Sequence, residues 1–191
     1  VEPDKVLRLT MLLHDVAKPV CITTDEAGQN HFKGHPVKGA DMAKVILRRL
    51  KFDNDTTDRV CRLVCYHDDR PELNARTVRR AMNRIGVENM PALFAVKRAD
   101  TLGQSMYHRQ EKLAYVDSFE RFFQEICAAQ QCVQKKDLAI SGSDLIAMGM
   151  KPGKEIGAVL NELFERVLDE PELNQRDKLL DMAHNLMTRL I

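Results

Sequence analysis

The spacing of apolar residues constrains the fold of this chain more than any other feature. Between residues 37 and 50 the apolar positions are Val37, Ala40, Ala43, Ile46, Leu47 and Leu50. This spacing of three and four is typical of one helical face and does not fit the alternation of a half-buried strand. The same period predicts further helices before residue 19, after residue 54, over 76–85, 89–101 and 106–130, and after residues 142, 152 and 174. The chain is therefore predicted to be all-α.

One stretch departs from the helical period. Pro19 is predicted to end the first helix, because proline interrupts hydrogen bonding in a helix interior. After it, Val20, Ile22 and Thr24 are spaced by two, and Ala27-Gly28-Gln29 supplies turn residues. We therefore expect a small β-hairpin inserted between the first two helices.

The composition agrees with a soluble helical bundle. Trp is absent and aromatic residues make up 5% of the chain, so an aliphatic core that suits helices is expected. No apolar run reaches the roughly 18 residues needed to cross a bilayer, and no secretory signal pattern is present. Five cysteines without a Cys-x-x-Cys pair are typical of reduced thiols. We therefore expect a cytoplasmic protein with no membrane partner.

Charge is distributed unevenly along the chain, whose net charge is +1. Residues 1–136 hold 23 Lys and Arg against 18 Asp and Glu, whereas residues 137–191 hold 6 against 10. The sign changes beside an interruption of the helical period near residues 133–142. We therefore expect a main helical domain over 1–136 and a helical C-terminal tail over 137–191. Because the sequence starts at Val1 and almost directly enters a helix, we expect the N-terminal helix to be truncated.

Four predicted helix ends carry polar side chains that need partners. His14 and Asp15 close an apolar helix, His35 opens the next one, and His67 and Asp100 each end a later helix. Burying such groups without a partner costs roughly a few kcal/mol. A bundle can bring its helix ends to one point, and imidazole with carboxylate suits a divalent metal. A metal site is one interpretation, and helix ends satisfied by hydrogen bonds are the other.

A row of arginines lies on one face of the helix predicted over 76–85. Arg76, Arg79, Arg80 and Arg84 are spaced at i, i+3, i+4 and i+8. Such a stripe can follow the phosphates of RNA, and it can equally be a solvated helix face. No aromatic residues interleave with the arginines, so the pattern gives no support for base stacking.

Several short segments follow one another in a recognisable order. They are Leu12-Leu13-His14-Asp15-Val16-Ala17-Lys18, Gly34-His35, Tyr66-His67-Asp68 and Arg98-Ala99-Asp100. This order resembles the HD superfamily of metal-dependent phosphohydrolases. With segments 31–35, 46–52, 144–149 and 152–157, the chain more narrowly resembles the HD-bearing C-terminal region of clostridial-type CCA-adding tRNA nucleotidyltransferases. The resemblance implies that residues 1–136 form an HD-type helical bundle that carries the hairpin.

The resemblance also implies roles for individual residues. The implied metal ligands are His14, Asp15, His35, His67 and Asp100. His14, Asp15 and Asp100 would bind one metal, and the other two histidines would bind a second metal or the substrate phosphate. Asp15 and Lys18 would act in catalysis, and Lys18 with Arg98 would neutralise charge developing on the phosphate.

The implied cofactor is a divalent metal, Mn, Ni, Mg, Fe or Zn, which makes hydroxide available near neutral pH. The implied substrates are nucleotide phosphate esters, such as 2′,3′-cyclic nucleotides, or RNA ends including those of tRNA.

Two departures from the family leave the function open. The family's first metal-binding histidine and its Gly-rich nucleotidyltransferase head both lie upstream of the His-Asp pair, and this sequence contains neither. The leading hypothesis is a metal-dependent phosphohydrolase that forms part of a CCA-adding enzyme. The alternative is a catalytically silent body that binds tRNA, and a free-standing signalling-nucleotide hydrolase is a third. The sequence indicates neither which metal binds nor the oligomeric state.

Overall fold

The computed structural model describes residues 1–190, with side chains as far as residue 188, and consists mainly of helices. The helices are α1 (Lys5–Leu13), α2 (Lys18–Cys21), α3 (His35–Arg49), α4 (Asn54–Tyr66), α5 (Ala75–Ile85), α6 (Met90–Gly103), α7 (Arg109–Ala128), α8 (Gly142–Ala147), α9 (Lys154–Asp169) and α10 (Arg176–Leu190). The prediction of an all-α fold is confirmed. Across the described residues, every helix is too short or too polar to span a bilayer.

A two-stranded hairpin joins α2 to α3. Strand β1 (Thr23–Thr24) pairs antiparallel with β2 (Asn30–His31). In the turn, Gly28 has a φ of 78°, a left-handed value that glycine adopts without strain. The Asp25 carboxylate accepts hydrogen bonds from the backbone N–H groups of Ala27 and Gln29, which closes the turn. The predicted hairpin is confirmed.

The chain forms two compact units. The first contains residues 1–72 and 85–121, and the second contains residues 73–84 and 122–191. The first unit therefore holds α1 to α4, α6 and the start of α7, whereas the second holds most of α5 and helices α8 to α10. The predicted domain division after residue 136 stays a prediction.

Helix α1 ends earlier than the sequence suggested. The Asp4 carboxylate accepts a hydrogen bond from the Leu7 N–H at 2.8 Å and caps the start of the helix. The helix ends at Leu13 instead of Pro19, and Pro19 lies in the first turn of α2, where its missing N–H costs nothing. The His14-Asp15 pair consequently occupies the tight turn that joins α1 to α2.

The inward face of α3 differs from the predicted apolar stripe. Its buried residues are His35, Gly39, Ala43 and Leu47, whereas Val37 and Leu50 are exposed. The prediction that Val37 and Leu50 belong to the buried face is wrong, because small residues at a spacing of four let α3 approach α4 closely. A Cβ on Gly39 would lie 3.3 Å from Val64 Cγ1 and 3.6 Å from the His14 carbonyl oxygen. This close packing brings the ends of three helices near one another.

A separate apolar core fills the second unit. Its fully buried members include Leu145, Leu163, Val167 and Leu179, from α8, α9 and α10. Arg79 of α5 closes the C-terminal end of α9. Its Nε and Nη2 atoms donate to the carbonyl oxygens of Leu168 and Asp169, at 2.7 and 2.9 Å. These carbonyls lack partners within the helix, and the negative end of the helix dipole favours a cation there.

The neighbouring arginines of α5 contact carboxylates of α9. Arg76 binds Asp169 with two nitrogens, and Arg80 binds both Asp169 and Glu165. Arg79 itself is 4% exposed, so the interpretation of the stripe as a solvated face is wrong for this residue. Arg84 is exposed. A role of these four arginines in RNA binding stays a prediction.

We expect the Arg79→Met substitution to lower the free energy of unfolding by about 3 kcal/mol, because it leaves buried carbonyl oxygens without donors. Urea denaturation of the variant and the parent measures this. Arg76→Met is the matched control and should lose less than about 1 kcal/mol, because it removes an exposed ion pair. Equal losses in the two variants would contradict the capping role of Arg79.

A second prediction concerns Asp53, the N-cap of α4. Hydrogen bonds from the Thr56 backbone and hydroxyl, and to a lesser extent from Lys5, lower the pKa of Asp53 to about 2 from 3.8. Its ionised form is therefore stabilising above about pH 4, and that contribution is lost as the pH falls toward 2. We expect Asp53→Asn to lower the Tm at pH 7, and the difference from the parent to shrink progressively below pH 4.

The matched control for this measurement is Asp58→Asn, an exposed position on the same helix. Thermal denaturation from pH 7 downward should show little change for this variant. An Asp53→Asn deficit that is the same at pH 3 as at pH 7 is the outcome that rejects the explanation.

Candidate metal centre

The structure brings the five predicted metal ligands together in the first unit. His14 and Asp15 come from the turn after α1, and His35 from the start of α3. His67 follows α4 directly, and Asp100 lies near the end of α6. Both His35 and His67 are buried, with 6% and 5% of their surface exposed. Four separate helix ends therefore contribute to one cluster.

Asp15 lies between two groups of side chains. Its Oδ1 atom is 3.4 Å from His35 Nε2 and 3.8 Å from His67 Nε2. Its Oδ2 atom is 3.3 Å from His14 Nε2, which is also 3.3 Å from Asp100 Oδ1. The two oxygens of the Asp15 carboxylate thus face two different sets of possible metal ligands.

The three histidines share one hydrogen-bonding arrangement. In each, Nδ1 donates to the carbonyl oxygen three residues earlier: His14 to Met11, His35 to Phe32 and His67 to Val64, at 2.7–2.9 Å. A carbonyl oxygen only accepts, so these bonds place the hydrogen of each neutral ring on Nδ1. In the neutral rings of His35 and His67, Nε2 consequently carries a lone pair that faces the cluster, as in histidines that bind metals. His14 Nε2 instead faces the carboxylates of Asp15 and Asp100.

Three acceptor atoms of the cluster face one another without a hydrogen between them when both rings are neutral. His35 Nε2 and His67 Nε2 are 3.3 Å apart, although neither carries a hydrogen in the neutral ring. Asp15 Oδ1 is buried and accepts no hydrogen bond from any described residue. An unpaired buried carboxylate oxygen is costly, and a proton or a metal ion at this position would relieve the cost.

The pKa values of the histidines differ within the cluster. The hydrogen bond to Asp100 raises the pKa of His14, and the same interaction lowers the pKa of Asp100. Burial lowers the pKa of His67, which favours the neutral ring that binds metals. These shifts favour the ionised carboxylate at Asp100 and the neutral ring at His67.

The spacing of the donor atoms fits one metal ion. His35, His67 and Asp15 form a triangle with sides of 3.3, 3.4 and 3.8 Å. Ligand bonds of 2.0–2.1 Å in tetrahedral geometry require donor atoms about 3.4 Å apart. Three protein ligands on one side of an ion leave a position for water or substrate. Two imidazoles suit Zn, Fe, Ni or Mn better than Mg, which prefers oxygen ligands.

Lys18 lies at the edge of the cluster. Its Nζ atom is 2.6 Å from Asp15 Oδ2, and it is positioned over the Phe32 ring at 5.6 Å. About a third of the side chain is exposed, so the ammonium group can contact a ligand while it remains paired with Asp15.

Two residues that support the cluster were missed by the sequence analysis. The buried Lys97 Nζ donates to the carbonyl oxygens of His67 and Asp69, which fixes the turn that carries His67. Burial lowers the pKa of Lys97 to about 8. The amide of Gln104 donates to Asp100 Oδ2 at 2.8 Å. The signal was present, because Leu93, Lys97 and Asp100 are spaced along one face of α6 and Gln104 continues this spacing directly after the helix.

The other predicted phosphate ligands lie outside this cluster. Arg98 is paired with Asp117 and Glu120 of α7. The four arginines of α5 belong to the second unit. Of the predicted cationic residues, Lys18 alone contacts one of the five candidate ligands through its side chain in the described structure.

Comparisons with known proteins identify relatives among tRNA nucleotidyltransferases. The CC-adding tRNA nucleotidyltransferase of Thermus thermophilus is 30% identical over 164 residues, which are 83% of this chain and 35% of that protein. The A-adding tRNA nucleotidyltransferase of Deinococcus radiodurans is 31% identical over 174 residues, or 88% of this chain and 39% of that protein. The CCA-adding enzyme of Lacticaseibacillus paracasei is 37% identical over 73 residues, 38% of this chain and 18% of that protein.

The chain spans 35–39% of the length of the first two of these relatives. No solved structure matches it significantly. A family model described as tRNA nucleotidyltransferase domain 2 matches residues 37–183, a range that contains His67, Lys97 and Asp100 but begins after His35. Since this match covers well over half of the residues, the chain belongs to the tRNA nucleotidyltransferase domain 2 family.

Proposed function

We propose that this chain is an HD-type metal-dependent phosphohydrolase that forms part of a larger tRNA nucleotidyltransferase. One observation carries the proposal: three histidine Nε2 atoms converge on Asp15, whose buried Oδ1 has no hydrogen-bond donor among the described residues. A group of helix ends that only needed hydrogen bonds would not turn three acceptors, His35 Nε2, His67 Nε2 and Asp15 Oδ1, toward one another. A divalent cation explains this arrangement.

His35, His67 and Asp15 would hold the cation, and His14 with Asp100 would hold a second one or orient Asp15. A divalent cation supplies activation of water for attack on phosphorus near neutral pH. Lys18 would neutralise charge on the phosphate, since its ammonium group already lies beside Asp15 and is partly exposed. Lys97 would keep His67 in position through its backbone carbonyl.

The relatives suggest the substrate class. Their names describe enzymes that act on tRNA, and RNA ends carry phosphate esters such as 2′,3′-cyclic phosphates. Hydrolysis of such a ring forms one bond between phosphorus and water oxygen and breaks one bond between phosphorus and ribose oxygen. The leaving ribose oxygen takes a proton, and the product is a 2′- or 3′-monophosphate. We propose tRNA ends or nucleotides with this group as substrates.

The first test is hydrolysis of 2′,3′-cyclic AMP with added Mn²⁺ or Ni²⁺. We expect turnover that EDTA abolishes. Asp15→Asn should reduce turnover below detection, because Asp15 lies near His14 on one side and near His35 and His67 on the other. Asp41→Asn, an exposed carboxylate of α3, is the matched control and should retain the parental rate. Turnover that is insensitive to EDTA, or equal in both variants, counts against the proposal.

A second candidate function is a silent body that binds tRNA, which the relationship to tRNA nucleotidyltransferases favours. It becomes the better explanation if neither this chain nor the full-length protein hydrolyses the cyclic ester with any added metal. In that case a salt-sensitive tRNA complex should still form.

A further prediction concerns metal affinity and does not depend on turnover. In calorimetric titrations with Mn²⁺, we expect His67→Ala to weaken Mn²⁺ binding by more than about tenfold. Loss of a residue that only supports a ligand already lowers metal affinity by about tenfold or more, and loss of the ligand itself should lower it further. His184→Ala replaces an exposed histidine of α10 and should bind Mn²⁺ like the parent. Identical affinities in the parent and His67→Ala would exclude this residue as a ligand.

A further inference from the structure

A cavity of about 370 Å³ lies beside the candidate metal centre, within the first unit. It is enclosed by α6, the start of α7 and the turn after α4, and His67 and Asp100 form part of its wall. Small-molecule sites have volumes of roughly 300–1,000 Å³. The cavity therefore has room for one nucleotide directly next to the proposed site of phosphate hydrolysis.

The charges on the wall are balanced. The cations are Arg70, Lys97 and Lys112, and the carboxylates are Asp68, Asp100 and Glu111. A pocket that bound only phosphate groups would be lined mainly by cations and N–H donors. A balanced wall instead suits a ligand body that is neutral and rich in hydrogen-bonding atoms.

The wall also has an apolar part. Thr101 and Val116 are buried, and Tyr115, which also lines the cavity, is half-buried. The Tyr115 hydroxyl donates to the Pro71 carbonyl oxygen, so its ring is fixed against the turn after α4. A flat ligand with an apolar face and polar edges, such as a nucleobase, matches this combination.

Lys112 connects the cavity to the metal centre. Its Nζ atom donates to Gln104 Oε1 at 2.8 Å, and the Gln104 amide donates to Asp100 Oδ2 at 2.8 Å. Only one of the three ammonium hydrogens is used in this chain of contacts. Lys112 lines the cavity, so a ligand there can accept a hydrogen bond from the ammonium group.

The loop between α6 and α7 is tied down beside the cavity. Arg109 Nη2 donates to the carbonyl oxygens of Leu102 and Gln104, at 3.1 and 2.6 Å. This loop presents Tyr107, a residue that is 75% exposed and whose ring contacts the ring of His108, a residue of the cavity wall. An exposed aromatic ring at the rim offers a surface for a base or a neighbouring nucleotide.

We propose that this cavity binds the nucleoside part of a phosphate ester whose phosphate lies at the metal centre, with Lys112 and Arg70 as substrate-binding residues. The inference rests on the proposed function for the position of the phosphate. The nucleoside could belong to a free nucleotide or to the terminal residue of an RNA, since both present the same chemistry to the cavity.

The test is a nuclear magnetic resonance titration with adenosine 3′-monophosphate in the presence of EDTA, so that metal-dependent hydrolysis does not interfere. We expect saturable shifts of the backbone amides of Thr101, Lys112 and Val116. Lys112→Ala and Arg70→Ala should each weaken binding by about tenfold, the loss expected for one hydrogen bond from a charged donor. Arg70→Ala leaves the contacts from Lys112 to Asp100 intact.

Lys44→Ala removes the same charge from an exposed position of α3 and should bind like the parent. Shifts confined to residues outside the cavity, or binding that neither variant weakens, would overturn the inference. A trinucleotide ending in a 3′-phosphate distinguishes the two sources. Tighter binding of the trinucleotide assigns the cavity to RNA ends, and equal binding assigns it to free nucleotides.

Negative results in the titration and in the hydrolysis assay refute different proposals. Shifts in the cavity without turnover would refute the phosphohydrolase and retain the nucleoside site. Turnover of 2′,3′-cyclic AMP without these shifts, and with unchanged KM in Lys112→Ala, would refute the nucleoside site and retain the enzyme.

Discussion

The hydrogen bond from a histidine Nδ1 to the carbonyl oxygen three residues earlier orients the side chains of the cluster. Because His14, His35 and His67 all make it, each ring is held at a helix end with its Nε2 atom directed into the cluster. The backbone thus selects the tautomer before any ligand arrives. The close packing of α3 at Gly39 brings His35 near Asp15, whose buried Oδ1 accepts no hydrogen bond from any described residue.

The sequence was sufficient to predict the helices, the hairpin and the membership of a tRNA nucleotidyltransferase family. It also indicated five residues that the fold brings together, because polar side chains at the ends of predicted helices stand out from the apolar pattern. It did not predict which face of α3 is buried. The period assigned Val37 and Leu50 to the core, whereas close approach to α4 selects His35, Gly39 and Ala43. The buried face of α3 is therefore decided by how closely its small residues let it approach α4, and not by hydrophobicity alone.

Residues that support others were harder to recognise. Lys97 donates to the backbone of His67, thirty residues away in sequence, and nothing near Lys97 in the sequence indicates this partner. Gln104 donates to Asp100, four residues earlier, which the helical spacing does indicate. Lys97 was identifiable only as a charged residue on a face otherwise occupied by Leu93 and Asp100. The spacing of a lysine along a helix shows that it points inward, but its partner is set by the turn after α4, which lies about thirty residues away in sequence.

Two buried cations serve backbone carbonyl oxygens. Lys97 binds those of His67 and Asp69 after α4, and Arg79 binds those that end α9. The carbonyls at a helix C-terminus lack partners within the helix and lie where the helix dipole is negative. In sequence, a cation that serves a helix end has the same appearance as one that serves a phosphate, since both interrupt an apolar face. The two roles separate only once the carbonyl acceptors are located. In the first unit, Lys97 donates to backbone carbonyls, whereas Lys18 and Lys112 donate to the side chains of Asp15 and Gln104.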